Sequence, residues 1–222
     1  MADFASLTDR YFPALLDGAL VTLQLASITW LGGLVFGATI GIWRASRMRE
    51  RSRMVTDLAV LALSSVPVMV YLLWVHYPLQ SWLGVQIPPF YTAAITFTIY
   101  NSLAVGEIVA GAIREVPIAY QMAARVGGVP RALYLRTVVV PLATRAALPS
   151  YLVSQVTALH LTLFASLISV DELFRAVQRI NALEYDAVSI YSLLVIFYFG
   201  LSLPLLVAAK WASRKFPVGQ GR

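Results

Sequence analysis

The chain has 222 residues, of which 59% are hydrophobic and 13% charged, and its mean hydropathy is +0.74. A soluble domain of this size lacks the polar surface to cover such a composition, so a water-soluble fold is excluded. There is no cysteine, which excludes disulfides, thiol chemistry and a cysteine-type zinc site, while a net charge of +6 raises the question of nucleic acid.

Four stretches carry no Asp, Glu, Lys or Arg: 18–43, 58–106, 146–170 and 187–209. A helical span needs about 20 apolar residues. The first, third and fourth stretches each fit one span and the second fits two, with its break expected at Pro78-Leu79-Gln80-Ser81 and Pro88-Pro89. The sequence therefore predicts an all-α integral membrane protein of five transmembrane helices, near 19–43, 58–77, 91–113, 146–169 and 187–209, in one membrane domain covering 1–222.

In chain order, residues 1–17 carry Asp3, Asp9, Arg10 and Asp17 and lack a basic run followed by an apolar one, so no cleavable signal is expected. Phe4, Leu7, Tyr11, Phe12 and Leu15 have roughly helical spacing and predict a short interfacial helix ahead of the first span. The first span leads to a short basic loop, Arg44–Arg53, suited to anionic lipid headgroups. The second contains Ser64-Ser65-Val66-Pro67, where the proline frees a carbonyl, tends to kink the helix, and leaves a serine to bond the freed group. The third ends on Tyr100-Asn101-Ser102 and Glu107, before a long polar segment, 114–145. Pro149 falls near the first turn of the fourth span, and 170–186 predicts a short amphipathic helix with Leu173, Phe174, Val177 and Ile180 on one face. The last span carries Tyr191, Tyr198 and Pro204.

Charge sets the orientation. With the N-terminus outside and the C-terminus cytoplasmic, fourteen of the seventeen Lys and Arg residues fall inside and seven of the eleven acids outside. The basic excess is thus topology, and no nucleic-acid partner is expected. Trp43, Trp74, Trp82, Tyr91 and Trp211 stand at span ends, as an interfacial belt requires.

The segment 114–145 is the most informative. Pro117 suits a first turn, Ala123 and Ala124 favour helix and leave a closely approachable face, Gly127-Gly128 end the helix, and Pro130 prevents its continuation. A second helix over about 131–140 climbs to Pro141 and the fourth span. The short helix lies across the membrane surface and can dock in a groove of a soluble partner.

Its spacing resembles the E-A-A-x3-G-x9-I-x-L-P loop of ABC-importer permeases, with Ala123, Ala124, Gly128, Val138, Val140 and Pro141 at the A, A, G, I, L and P positions. Its flanks resemble the polar amino-acid (histidine, glutamine, glutamate, arginine and opine) uptake subfamily: Gly18–Leu25 in the first span, Glu107-Ile108, Gly111, Ile113 and Pro117 before the loop, and Asp171-Glu172-Leu173-Phe174-Arg175-Ala176 after the fourth. The similarity runs in order over about 15–215. It implies a bacterial inner-membrane permease working with two ABC ATPase subunits, a second permease copy or paralogue, and an extracytoplasmic solute-binding protein. It also implies that Met122, Ala123, Ala124, Arg125, Gly128 and Pro141 belong to a cytoplasmic ATPase-coupling loop. Three departures stand out. Met122 replaces the loop glutamate. Ser64-Ser65-Val66-Pro67 replaces an Arg-Gly-Thr-Pro-like run. His160-Leu161-Thr162 stands where Lys-Asp/Asn-Thr/Ser is usual. The first and last mark this chain as the less substrate-engaged half of a heteromeric pair.

The remaining polar groups leave alternatives open. Glu107 either belongs to the translocation path or its support, or pairs with Arg114 or another arginine. His160 and Asn101 either line a path, together with Thr162, or bond neighbouring helices. The helix at 171–180 either meets the binding protein or covers the interface. Neither histidine has an acid cluster beside it, so no metal is expected, and no cofactor is expected either. There is no G-x-x-x-x-G-K-[ST] run and no nucleophile–base pair, so this chain is no enzyme and ATP hydrolysis belongs to another polypeptide. The alternative from another class is an ATP-independent channel or carrier, which has no need of the Ala-Ala…Gly helix.

Overall fold

The computed structural model describes residues 4–47, 57–58 and 60–216, and no strand occurs among them. The chain begins with α1 (Phe4–Arg47), 44 residues long. At 1.5 Å per residue this helix measures about 66 Å, roughly twice the hydrocarbon thickness. The expected separate interfacial helix is therefore corrected: it is the first part of α1, and Pro13 sits inside the helix. The reason is packing, since Leu15 and Ala19 are buried against Leu173, Val177, Ile180, Ile190 and Leu193.

Residues 57–58 and 60–64 are helical, and the bend at Ser65-Val66 ends that run. Pro67 breaks the helix here instead of kinking it. The Ser65 hydroxyl donates to the Leu61 carbonyl at 2.7 Å, as the position of a serine beside the proline anticipates. The chain continues as α2 (Val68–Trp74), a π-helical turn (Val75–Leu79) and α3 (Gln80–Leu83). The break expected at Pro78 is thus displaced: the wider π turn takes up Pro78, and the helix stops only at Gly84, where φ is +66°. Gln80, buried, closes this loop by accepting from the Ile87 N–H at 2.7 Å and donating to the Thr92 hydroxyl at 3.0 Å.

Next come α4 (Pro89–Arg114), α5 (Ile118–Val126) and α6 (Arg131–Tyr134). A second π turn (Leu135–Val139) joins α6 to α7 (Val140–Leu161), which passes into a 3-10 segment (Thr162–Ile168). The π turn lies immediately before α7, whose first turn contains Pro141; a proline cannot donate there, so the register change stands where a helical bond is already missing. Residues 131–168 thus form one helical run, and Pro149 lies inside α7 rather than at its first turn. The chain ends with α8 (Leu173–Glu184) and α9 (Ala187–Lys215).

Four described helices are long and apolar enough to cross a membrane: Leu7–Ala45, Pro89–Arg114, Arg131–Ile168 and Ala187–Lys215. The expected second span, 58–77, includes residue 59, outside the described residues, and is broken at 65–67. Trp43, Trp74, Trp82, Tyr91 and Trp211 are all exposed, as are Val195, Ile196, Phe199 and Val207 on α9. In water this apolar surface would be prohibitive; in lipid it is the solvated face.

The bundle is held chiefly by α1 against α4. A Cβ on Gly37 would stand 2.7 Å from the Ser102 carbonyl oxygen and from Val105 Cβ, and one on Gly41 2.7 Å from the Gly106 carbonyl oxygen. Glycines at four-residue spacing let two backbones approach this closely, and dispersion with Cα–H···O contacts then holds them. One core joins α1, α2, α4 and the 3-10 segment around Leu25, Leu72, Phe97 and Ile168; the other joins α1, α8 and α9.

Glu172 caps α8 from between these cores. It is fully buried, and its carboxylate accepts from the Phe174 and Arg175 N–H groups at 2.9 and 2.8 Å, while the Leu173 N–H donates to the Thr22 hydroxyl at 3.1 Å. Burial pushes its carboxyl up from 4.5 to about 7 against the opposing pull of the two capping bonds. The folded protein therefore holds a proton more tightly than the unfolded chain. This stabilisation is complete below about pH 4.5 and is lost as pH rises to about 7, amounting to roughly 3 kcal/mol over that window. Thermal unfolding of the detergent-purified protein at pH 5 and pH 8 measures it. Glu172→Gln, which keeps an acceptor for the cap, is expected to shrink the difference between the two midpoints; an unchanged difference would show that Glu172 does not titrate there.

Candidate functional site

Three clusters hold the candidate residues. The first lies within the span bundle. Asn101 on α4 is buried, and its Nδ2 donates to the Thr29 carbonyl at 3.0 Å and to Gln155 Oε1 at 3.1 Å. Trp30 Nε1 donates to the Gln155 carbonyl at 3.0 Å. Asn101 thus ties α1, α4 and α7 together, and Gly33 makes room for it, since a Cβ there would lie 2.2 Å from Nδ2. Asn101→Leu is expected to destabilise the protein by about 1 kcal/mol, the scale of a hydrogen bond between membrane helices. In a double-mutant cycle by thermal unfolding, Gln155→Leu should cost less in the Asn101→Leu background than alone; additive losses would mean the pair is not coupled.

His160, on α7, meets Ser202 on α9, with Nε2 and Oγ 3.1 Å apart and its ring 6.1 Å from that of Tyr198. Thr162 is fully buried, and its hydroxyl donates to the Leu159 carbonyl at 2.7 Å, where α7 tightens into the 3-10 segment. The described geometry therefore gives both Asn101 and His160 interhelical bonds.

The second cluster sits at the Arg114 end of α4. Arg44, only 5% exposed, pairs with both Glu107 and Asp57, and Arg114 Nη2 lies 4.0 Å from the other Glu107 oxygen. Glu107 thus joins α1 to α4 and, through Arg44, to the helical residues at 57–58. A buried guanidinium left without its carboxylates would be strongly unfavourable, so this pairing fixes the relative position of the three segments. Arg44 and Asp57 are absent from the sequence-derived site. The sequence signal that points to them is an arginine at the last turn of an apolar helix, followed by a carboxylate at the head of the next apolar stretch.

The third cluster is α5 with its turn. Pro117 precedes its first residue, and the Gly127 and Val129 N–H groups donate to the Ala123 and Ala124 carbonyls at 2.9 Å. Gly128 has φ +65°, which glycine adopts without strain and other residues rarely do. The expected helix over 117–128 is therefore present as Ile118–Val126, with no buried residue. Met122 is 58% and Val126 91% exposed. Helical spacing puts Ala119, Met122, Ala123 and Val126 on one uncharged side. Ile118, Gln121, Ala124 and Arg125 line a cavity of about 590 Å³ on the other, together with Ala45, Arg114, Arg131 and Val139. Of the residues that the sequence resemblance assigns to a coupling loop, Met122 and Ala123 thus face outward, Ala124 and Arg125 face the cavity, and Pro141 is separate, in α7.

Residues 33–217 match the family of binding-protein-dependent transport system inner membrane components. The chain belongs to this family. It is similar to the glutamine transport system permease protein GlnP of Escherichia coli strain K12, 27% identical over 213 residues covering 93% of this chain and 94% of the relative. It is likewise 27% identical over 215 residues to the nopaline transport system permease protein NocM of Agrobacterium fabrum, covering 90% and 88% of the two. The arginine transport system permease protein ArtQ of Bacillus subtilis is 22% identical over 210 residues, with 95% of each chain covered. Its fold matches the crystal structure of an amino acid ABC transporter with histidines at a TM-score of 0.85 and 24% identity, over 97% of this chain and 99% of the other. An inward-facing methionine transporter, MetNI, matches at 0.78 and 18%, over 93% and 98%.

The protein is thus a membrane permease subunit of an ABC importer, a transport component and not an enzyme, with the ATPase a separate subunit in such systems. The ATP-independent channel or carrier is set aside.

Proposed function

We propose that this permease forms part of the translocation path for polar amino acids or related small solutes, and couples to a separate ATPase through α5. The single observation that supports the coupling role best is α5 itself: a capped nine-residue helix beside the span ends, none of whose residues is buried. A helix so short is marginal unless tertiary contact holds it, and its outward side is exposed among the described residues. The relatives that carry amino acids and opines support the solute class.

In this reading the chain crosses the membrane five times, with residues 58–77 as the second span. The N-terminus is outside and α5 lies on the cytoplasmic face of the bacterial inner membrane. The spans pack as one domain with a second permease, copy or paralogue, beside it. An extracytoplasmic binding protein delivers solute at the α8 end. ATP binding draws the two ATPase subunits together and moves α5. The Arg44–Glu107–Asp57 cluster passes that motion to α1 and α4. A docked partner can shift access only by binding the inward- and outward-open states unequally. Asn101, Glu107, His160 and Thr162 support the path rather than hold solute, because each has a bond partner within the chain.

Reconstitution with the ATPase and the cognate binding protein tests the proposal. ATP-dependent uptake of a labelled polar amino acid is expected, and none without the binding protein. Uptake that proceeds without ATP, or an assembled system that takes up no amino acid, would refute it.

A further inference from the structure

We infer that the arginine-lined cavity between α5, α6 and the neighbouring ends of α1 and α4 holds the headgroup of an anionic phospholipid. The cavity measures about 590 Å³, within the roughly 300–1,000 Å³ typical of ligand pockets. Its lining is two-natured. Arg114, Arg125, Arg131 and Gln121 supply donors, while residues such as Ile113 and Leu135 supply apolar wall. The side chains of Arg125 and Arg131 form no ion pair or hydrogen bond among the described residues, and Glu115, the nearest acid in sequence, does not line the cavity. Arg114 lies 4.0 Å from Glu107, but that carboxylate is already held by Arg44.

Guanidinium groups present planar pairs of donors that match a phosphate bidentately. Two unpaired cations and a half-neutralised third therefore select an anion. The apolar wall then distinguishes an amphiphile from a free ion. Location agrees, for Ala45 and Arg114 stand at the ends of apolar helices, where headgroups lie, and basic pockets between span ends suit such lipids. The site rests on the span ends and not on the docking role of α5. It also changes the part played by Arg125: the residue aligned with a coupling loop faces a lipid-sized cavity, and the outward side of α5 is left uncharged.

The purified transporter, permease with ATPase, is titrated with phosphatidylglycerol, with phosphatidylcholine of the same chains, and with inorganic phosphate, and bound lipid is read by native mass spectrometry. Phosphatidylglycerol is expected to bind at least about tenfold more tightly than phosphatidylcholine. The Arg125→Gln/Arg131→Gln double variant should lose that preference, and the Arg125→Lys/Arg131→Lys variant should keep most of it. Equal binding of the two lipids, or an unchanged preference in the glutamine variant, would overturn the inference. Displacement of the lipid by an equal concentration of inorganic phosphate would also overturn it, because the site would then serve a free anion. The lipid comparison on the unaltered protein decides even if the glutamine variant fails to assemble. ATPase retention in the same spectra reports on docking separately.

Discussion

Gly37→Leu is expected to destabilise the protein by at least about 3 kcal/mol and to lower its yield from membranes sharply. The added Cβ alone would meet the Ser102 carbonyl oxygen and Val105 Cβ at 2.7 Å, well inside contact distance. One of these obstacles is backbone, so a rotamer change cannot relieve the clash. α1 and α4 would have to separate, and the consequences spread along the interface: Gly41 would lose its approach to Gly106, and Asn101 its hold on the Thr29 carbonyl. Gly111 on α4 provides the control, since a Cβ there meets nothing within 4 Å. Gly111→Leu should fall within about 1 kcal/mol of the parent protein by thermal unfolding in detergent, the scale of a helix-propensity change. Equal effects from the two substitutions would show that α1 and α4 do not pack as described.

Ala123→Arg is expected to reduce ATPase association on the order of 100-fold and to abolish transport without lowering the stability of the permease. Ala123 is exposed on the uncharged outward side of α5, so the free permease tolerates a long cation there. A docked partner would not, since an unpaired charge buried in a protein contact costs about 3–5 kcal/mol, and 1.4 kcal/mol is a factor of ten. Co-purification with the ATPase and thermal unfolding of the permease alone separate the two effects. Loss of stability in the free permease would mean that α5 packs against its own chain, and full retention of the ATPase would mean that Ala123 lies outside the contact.

Much of this architecture was legible because membrane helices announce themselves by composition. The spans near 91–113 and 187–209 correspond to Pro89–Arg114 and Ala187–Lys215, and the helix ending at Gly127-Gly128 is bounded as its cap residues require. What misled was proline. Pro78 reads as part of a break and Pro149 as a first-turn residue, yet each lies within a helical run, one in a π turn and one in an α-helix. Neighbouring helices and local changes of pitch can satisfy the freed groups, and composition carries no record of them. The N-terminal segment misled for a related reason. Its apolar stripe was consistent with a lipid surface, but α8 and α9 provide a protein surface for the same stripe.

The candidate site was legible as residue types and not as partners. Asn101, Glu107 and His160 stand out because polar groups are rare within spans, but their partners Gln155, Arg44 and Ser202 lie 54, 63 and 42 residues away. Nothing in the local sequence distinguishes a residue facing a path from one facing a neighbouring helix. Gly33, Gly37 and Gly41 are absent from the sequence-derived reading, although glycine every fourth residue is the mark of a close helix contact, here within one chain.

For α5 to couple transport to ATP, its outward side must be cytoplasmic and covered by an ATPase. Because the chain has no native cysteine, Ala123→Cys gives a single reporter. A membrane-impermeant maleimide applied to inside-out vesicles should label it, applied to intact spheroplasts should not, and ATPase bound to the vesicles should protect it. Labelling from the periplasmic side, or labelling of the vesicles that is unaffected by the ATPase, would contradict the reading.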